Sequence, residues 1–377
     1  MTSEQATIKP AQPAKFHSQQ LDIVKALGIF MVVGFHYFPG SLGWHLDVMP
    51  AGWFEQYWST PDAFTPLHIL QFLESYFYVG VNFFVIASGF GLYLSYLKSG
   101  KKKIDLKEFF MKRVLRLMPA ALFAIVVVFF VKWIFLGEVV TKDFVTNFFP
   151  FLGGLNLFYN PWFFPPINGD SWFLGLIIQL YLFFPLLVWL YEKIGEKKFL
   201  ILLLVTSIAF RGLYYIFWKD TISSLSYGLS IGRLFEFGFG MVLAHKFFEK
   251  KKLSPWWILT IFFGLGYFWP WSFPFADGLL GVGAFTLVWL LAEKLPQWSG
   301  WAKIAFQSYL IFLLHHPFVW ILEKWGFHQE TSWLGIAVLF ALFIFSYWFA
   351  KVAQSVLDWI TKQIAKVFGK RKVQAAH

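Results

Sequence analysis

Long apolar runs separated by short polar clusters dominate this chain. A helix that crosses a bilayer needs about 20 mostly apolar residues. Runs of that kind predict spans at 21–39, 76–97, 115–136, 171–191, 198–217, 229–247, 256–271, 277–293, 303–323 and 333–357. The runs 256–271 and 277–293 are short, and the stretch from Pro270 to Pro274 between them suits a tight turn. Segment 144–159 is apolar but holds Pro150, Gly153 and Gly154, which fits a re-entrant or interfacial piece as well as a span. The expected fold is all-α: a polytopic transmembrane helix bundle of about ten spans. It would occupy 21–359, between a polar tail over 1–20 and a basic tail over 360–377.

Charge orients the bundle. Lys98, Lys101, Lys102, Lys103, Lys107, Lys112, Arg113 and Arg116 form its most basic stretch, which the positive-inside rule places in the cytoplasm. The stretches Lys193–Lys198 and Lys246–Lys252, and the tail Lys362–Lys372, are also basic. If 144–159 spans, the later loops move outside; if it does not, these stretches share one side, so ten spans with both the N and C termini cytoplasmic is the self-consistent expectation. The segment from Pro39 to Leu67 is then external, and its aromatic residues suit a membrane interface more commonly than a sugar-stacking surface.

Composition agrees with lipid as the main solvent. Hydrophobic residues make up 58% of the 377 positions and charged residues 14%, against about 25% charged in soluble domains. A soluble fold would leave a large sticky surface. The net charge of +11 reads as loop topology rather than as a nucleic-acid surface. The N-terminal run lacks a small-residue cleavage pattern and is expected to be a retained first span. With no cysteine, disulfides, thiolate zinc sites and a cysteine nucleophile are excluded. No repeat of fixed period emerges.

Ionisable residues inside spans cost about 2.5–3.5 kcal/mol each on insertion scales and are functional candidates by default. Lys25 and His36 lie eleven residues apart in the first run, so they share a helix face about 16 Å apart along the axis. Lys25 alone is explained by snorkelling. For His36, a hydrogen-bonded structural imidazole and a general base are evenly matched. His315 and His316 are adjacent, so they point about 100° apart and only one is expected to face a given site. Pro317 makes local kink stabilisation a competing role for that pair. No His pair at i,i+4 and no neighbouring carboxylate accompanies them, so no metal is expected. Arg233 and Glu236, three residues apart, can pair as a structural bridge or meet a substrate. Asn82 and Ser88 sit among glycines in a run suited to close helix packing. Arg113 and Arg116 precede Pro119, where positive-inside topology and an anionic cofactor both account for them.

Taken in order, these segments resemble the acyltransferase-3 family of integral membrane acyltransferases from about residue 20 to about 320. The resemblance rests on the basic-x10-His pattern of Lys25 and His36, the FF-x-x-SGF-like run Phe83 to Phe90, and Phe110-Arg113-Arg116-Pro119. It continues in Trp172-Phe173-Leu174 with Gln179, Tyr181 and Pro185, in Arg233-Leu234-Phe235-Glu236-Phe237 with Gly240-Met241, and in Ser308-Tyr309 with His315 and Pro317. Departures are Ile177 and Ile178 where an acidic residue is often found, and Phe312 where tyrosine is common.

The resemblance implies transfer of an acyl group, acetyl first among the candidates, from cytoplasmic acyl-CoA to a hydroxyl of an extracytoplasmic or exported polysaccharide. It implies His36 as general base or acyl carrier, with His315, Arg233 and Glu236 completing the catalytic set. Lys25, Arg113, Arg116 and Ser88 would bind the donor. No tightly bound cofactor is implied, and the expected partners are acyl-CoA, a carbohydrate acceptor, the bilayer and polysaccharide synthase or export proteins, with no nucleic acid. The expected location is a bacterial cell membrane. A polysaccharide or lipid-linked sugar flippase is the alternative, and an inactive scaffold for a glycan synthase a weaker third.

Overall fold

The structure, a computed structural model, describes residues 18–38, 57–62, 64–100, 103–137, 172–222, 228–264, 273–327 and 332–368. Segment 144–159 and most of the aromatic stretch 39–67 lie outside the described residues.

Among the described residues the regular structure is helical throughout. The first helix, α1, is Gln19–Tyr37, opened by the Ser18 hydroxyl accepting from the Leu21 amide. Helix α2, Pro66–Glu74, falls within and just past the stretch expected to be external loop; Thr65 caps it and Pro66 starts it. A 3-10 turn, Phe77–Val79, leads into α3, Gly80–Ser99. Helix α4, Leu106–Phe130, begins nine residues before the expected span because Asp105 caps it, and it ends in a π turn, Val131–Leu136. Helix α5, Trp172–Ile222, is two crossings joined at Gly195, whose φ of 74° and ψ of 169° break the helix where the sequence separates two spans.

Helix α6, Leu234–Phe248, follows a 3-10 turn at Ser230–Arg233. The expected 256–271 run contributes a 3-10 turn, Pro255–Leu259, and the short α7, Thr260–Gly264, before residues that lie outside the description. Helices α8, Phe273–Ala292, α9, Ser299–Lys324, and α10, Trp333–Phe368, complete the order. Helix α10 runs past the expected 357, so the tail boundary expected at 360 falls inside a helix. Six described helices are long and apolar enough to cross a membrane, with Ala276–Ala292 a shorter apolar one. The all-helical membrane bundle read from the apolar pattern is therefore the fold.

Contacts fix the helix directions. The Gln19 side chain donates to the Leu295 and Pro296 carbonyls just before α9, and His36 meets His315 further along, so α1 and α9 run in parallel. Helices α3 and α6 are also parallel: Asn82 meets Arg233 near one end, and the Tyr93 ring lies 6.2 Å from that of His245 near the other. Gln20, Lys250, Lys251, Lys252 and Glu293 border one cavity. Tyr96 bonds Glu192, and Lys246 pairs with Glu196. The described basic stretches thus collect at one end of the bundle, the end expected to be cytoplasmic.

Helices α3 and α6 touch at backbone level. A methyl group on Gly89 would strike the Phe237 carbonyl, and one on Gly240 would strike that of Ile86. Gly28 and Gly80 make a similar close approach between α1 and α3. This is the small-residue packing that membrane helices use in place of a hydrophobic drive. Asn82 belongs to this packed region, with Gly281 of α8 lying against its side chain.

Candidate active site

Three imidazoles meet between α1 and α9. His36 Nδ1 lies 2.8 Å from His315 Nε2, and the His36 ring centroid is 5.0 Å from that of His315 and 4.7 Å from that of His316. His315 is fully buried, while His36 and His316 are half-buried. Both neighbouring histidines face His36, which corrects the expectation that only one would. The 100° divergence matters for a distant target, but His36 stands close enough to lie between the two side chains.

Backbone carbonyls set the protonation pattern of this cluster. His315 Nδ1 lies 3.0 Å from the Ile311 carbonyl oxygen and 2.9 Å from that of Phe312. A carbonyl can only accept, so in the neutral ring Nδ1 carries the proton and Nε2 the lone pair. His36 then donates from Nδ1 to His315 Nε2, and the lone pair of His36 resides on Nε2. This is how a base is held in one tautomer by a partner behind it. The anchoring carbonyls lie two and one residues before Leu313, whose carbonyl Pro317 leaves without its usual helical donor.

A cationic group lies toward the basic end. Lys25 interacts electrostatically with Arg116 and Asp22, and Arg113 with Arg116 and Tyr181. The Arg113 guanidinium stands 5.5 Å from the centroid of the Phe109 ring and 5.9 Å from that of Tyr181. Tyr309 of α9 donates to the Leu117 carbonyl at 3.3 Å, within electrostatic reach of Arg116 and Tyr181. Arg113 also borders a cavity of about 100 Å³ with Lys103, Lys112, Asp105 and Glu108, where Lys112 and Glu108 pair at 2.8 Å. Three cations gathered from α1 and α4, with Asp22 as the acid acting on Lys25, form a place where an anion is favoured. Ser88 is half-buried on α3, next to the Gly89 contact.

Arg233 and Glu236 do form the expected pair, at 3.1 Å, within a larger buried network. Arg211 reaches Glu236 at 2.7 Å and Asp277 at 3.1 Å; Arg233 reaches Asp277 at 2.6 Å and donates to Asn82 Oδ1 at 2.6 Å. Asn82 Nδ2 donates to the Asp277 carboxylate and its backbone carbonyl, each at 3.0 Å. All five side chains are essentially buried, and the two positive and two negative charges balance. Such a group is tolerated in lipid only when each member is paired. It ties α3, α5, α6 and α8 together. Arg233 and Glu236 thus make their ion pairs inside this network.

Sequence reading singled out neither Arg211 nor Asp277. Arg211 carried a signal, a charge inside an apolar run, whereas Asp277 lay at the edge of its run and looked terminal.

A family model described as an acyltransferase domain matches residues 18–351. This chain belongs to the acyltransferase-3 family. The matched range contains the imidazole cluster, the cationic group and the buried charge network. Membership establishes the protein as an acyltransferase with membrane-spanning helices. No curated protein and no solved structure gives a significant match.

Proposed function

We propose that this acyltransferase-3 protein moves an acyl group, acetyl first among the candidates, from cytoplasmic acyl-CoA to a hydroxyl of an extracytoplasmic or exported polysaccharide, working as a multi-pass protein of a bacterial cell membrane. The observation that carries the reading is the 2.8 Å contact between His36 and His315, on a helix face that leads back to Lys25. One helix thereby links a cation-rich mouth to a base about 16 Å deeper.

In this reading Lys25, Arg113 and Arg116 hold the donor's phosphates, with Ser88 further along its path, and the pantetheine arm extends toward His36. His36 Nε2 takes the proton of the acceptor hydroxyl as its oxygen attacks the thioester carbonyl. The C–S bond breaks and the departing thiolate recovers the proton from His36. His315 accepts from His36 Nδ1 throughout, so the imidazolium formed in the step stays hydrogen-bonded. An acyl-His36 intermediate uses the same nitrogen in two half-steps. Arg233 and Glu236, together with Arg211 and Asp277, hold the helix ends around the acceptor side. Polysaccharide synthase or export proteins would supply the acceptor.

Purified protein in nanodiscs, given labelled acetyl-CoA and an oligosaccharide acceptor, tests this. Label should appear on the glycan with stoichiometric release of CoA, and His36→Ala should lose both. Glycan movement across the membrane without CoA release would replace this reading with a flippase.

A further inference from the structure

We propose that His36, His315 and His316 also form a binding site for a borderline divalent transition-metal ion of the Zn2+ type, and that its occupancy switches acyl transfer off. The switching half rests on the function proposed above; the binding half does not.

One ring nitrogen from each of the three residues can be chosen so that all lie within 4.8 Å of one another. Zinc holds imidazole nitrogens at about 2.0–2.1 Å, which in a tetrahedron places them roughly 3.3 Å apart. His36 Nδ1 and His315 Nε2 are already at 2.8 Å, so small ring rotations complete the cage. Three imidazoles with a fourth position open is a recognised zinc donor set, and imidazole also suits Cu2+ and Ni2+.

A second observation concerns what lies behind the ligands. His315 Nδ1 is held by the Ile311 and Phe312 carbonyls, so Nε2 is aimed at the cluster, where its lone pair accepts from His36 Nδ1. Metal-ligating histidines are typically fixed in this way by a backbone carbonyl or carboxylate on the opposite nitrogen. His316 is steadied on its other side by Trp320, with ring centroids 5.1 Å apart. The third ligand comes from α1, which is why no spacing within His315-His316 could reveal the set.

Binding uses the lone pair of His36 Nδ1. The proton that Nδ1 carried moves to Nε2, so the number of protons on the ring is unchanged and no proton is released. Nε2 then has no lone pair to offer an acceptor hydroxyl. The ion and the base function are mutually exclusive at one ring.

Chelator-stripped protein in detergent, with no acyl donor present, is titrated with Cu2+ alone and then challenged with Zn2+. Expected are one ion per chain, imidazole-nitrogen hyperfine structure in the Cu2+ spectrum, quenching of tryptophan fluorescence through Trp320, and competition from a large excess of Zn2+, since Cu2+ is the tighter-binding ion. His316→Ala and His316→Gln should each weaken binding more than about tenfold, the loss seen even when only a supporting partner is removed. Absence of stoichiometric binding, or of nitrogen hyperfine structure, in the wild-type protein overturns the site whatever the variants do. Undiminished affinity in folded His316 variants overturns it as well. Acyl transfer by the wild type should fall with Zn2+ occupancy and return with chelator, and full activity at full occupancy overturns the switch.

Discussion

His36 donates from Nδ1 to His315 Nε2 across 2.8 Å, joining two helices whose partners lie 279 positions apart in the chain. The donor direction follows from the Ile311 and Phe312 carbonyls behind His315. Backbone carbonyls acting through a second imidazole thereby give His36 a fixed tautomer.

Under the proposed mechanism His315 acts through His36, so its loss should fall on kcat. His315→Ala is expected to lower kcat by at least about tenfold and by no more than the ~10²–10⁴-fold associated with general base catalysis, while leaving KM for the acyl donor unchanged. His315→Gln places an acceptor oxygen near the lost Nε2 and should recover part of the rate. Steady-state kinetics on the two variants decide it, and equal losses in both would indicate a role in packing alone.

The cationic mouth makes a prediction about donor binding. Arg113→Ala or Arg116→Ala should raise KM for acyl-CoA with little change in kcat, the signature of binding shared by ground and transition states. A short thioester lacking the nucleotide phosphates should show no such change. The effect for acyl-CoA should weaken as salt is raised, since exposed charges such as Arg116 are screened.

Breaking the buried charge network should be costly for the fold. Asp277→Ala leaves two guanidinium groups sharing Glu236 and Asn82, and removal of one partner from a buried set costs about 3–5 kcal/mol. Adding Arg211→Met restores charge balance and should return part of that loss. Unfolding in detergent of the two single variants and the double variant gives the coupling energy directly.

Glycine positions on α3 should respond in opposite ways. Gly89→Val forces a side chain into the Phe237 backbone and should destabilise by about 1–3 kcal/mol or prevent assembly. Gly91, two residues on, has nothing within 4 Å of the same position, so Gly91→Ala should change stability little or raise it by a few tenths of a kcal/mol. Thermal unfolding of both proteins in one detergent checks the contrast.

Much of the fold was legible because each span is a local property of 20 or so residues. The break between 171–191 and 198–217 reappears at Gly195, and the basic stretches do gather at one end. Local pattern gave less at the boundaries. Asp105 starts α4 early by a cap rather than by hydrophobicity, and α10 continues to Phe368 beyond its apolar run. The site was half legible. Helix arithmetic put Lys25 and His36 on one face, because both belong to α1. The pairing of Arg211 with Asp277 bridges 66 positions and that of Arg233 with Asn82 bridges 151. Nothing in either local stretch names its partner, and His316 joined the site only through the placement of α1.

The glycine contacts bear on what keeps the two imidazoles in register. With Gly28 against Gly80 and Gly89 against Phe237, α1, α3 and α6 are seated too closely to slide past one another. They form the stator of the machine, and His36 is mounted on it. His315 and His316 ride on α9, outside that welded set. A hydrogen bond of 2.8 Å is lost once its atoms separate past about 3.5 Å, so a shift of α9 by less than the width of an atom disengages the pair. Under the proposed mechanism the bond between the two imidazoles is therefore also an alignment latch, and the base is armed only while α1 and α9 keep this spacing.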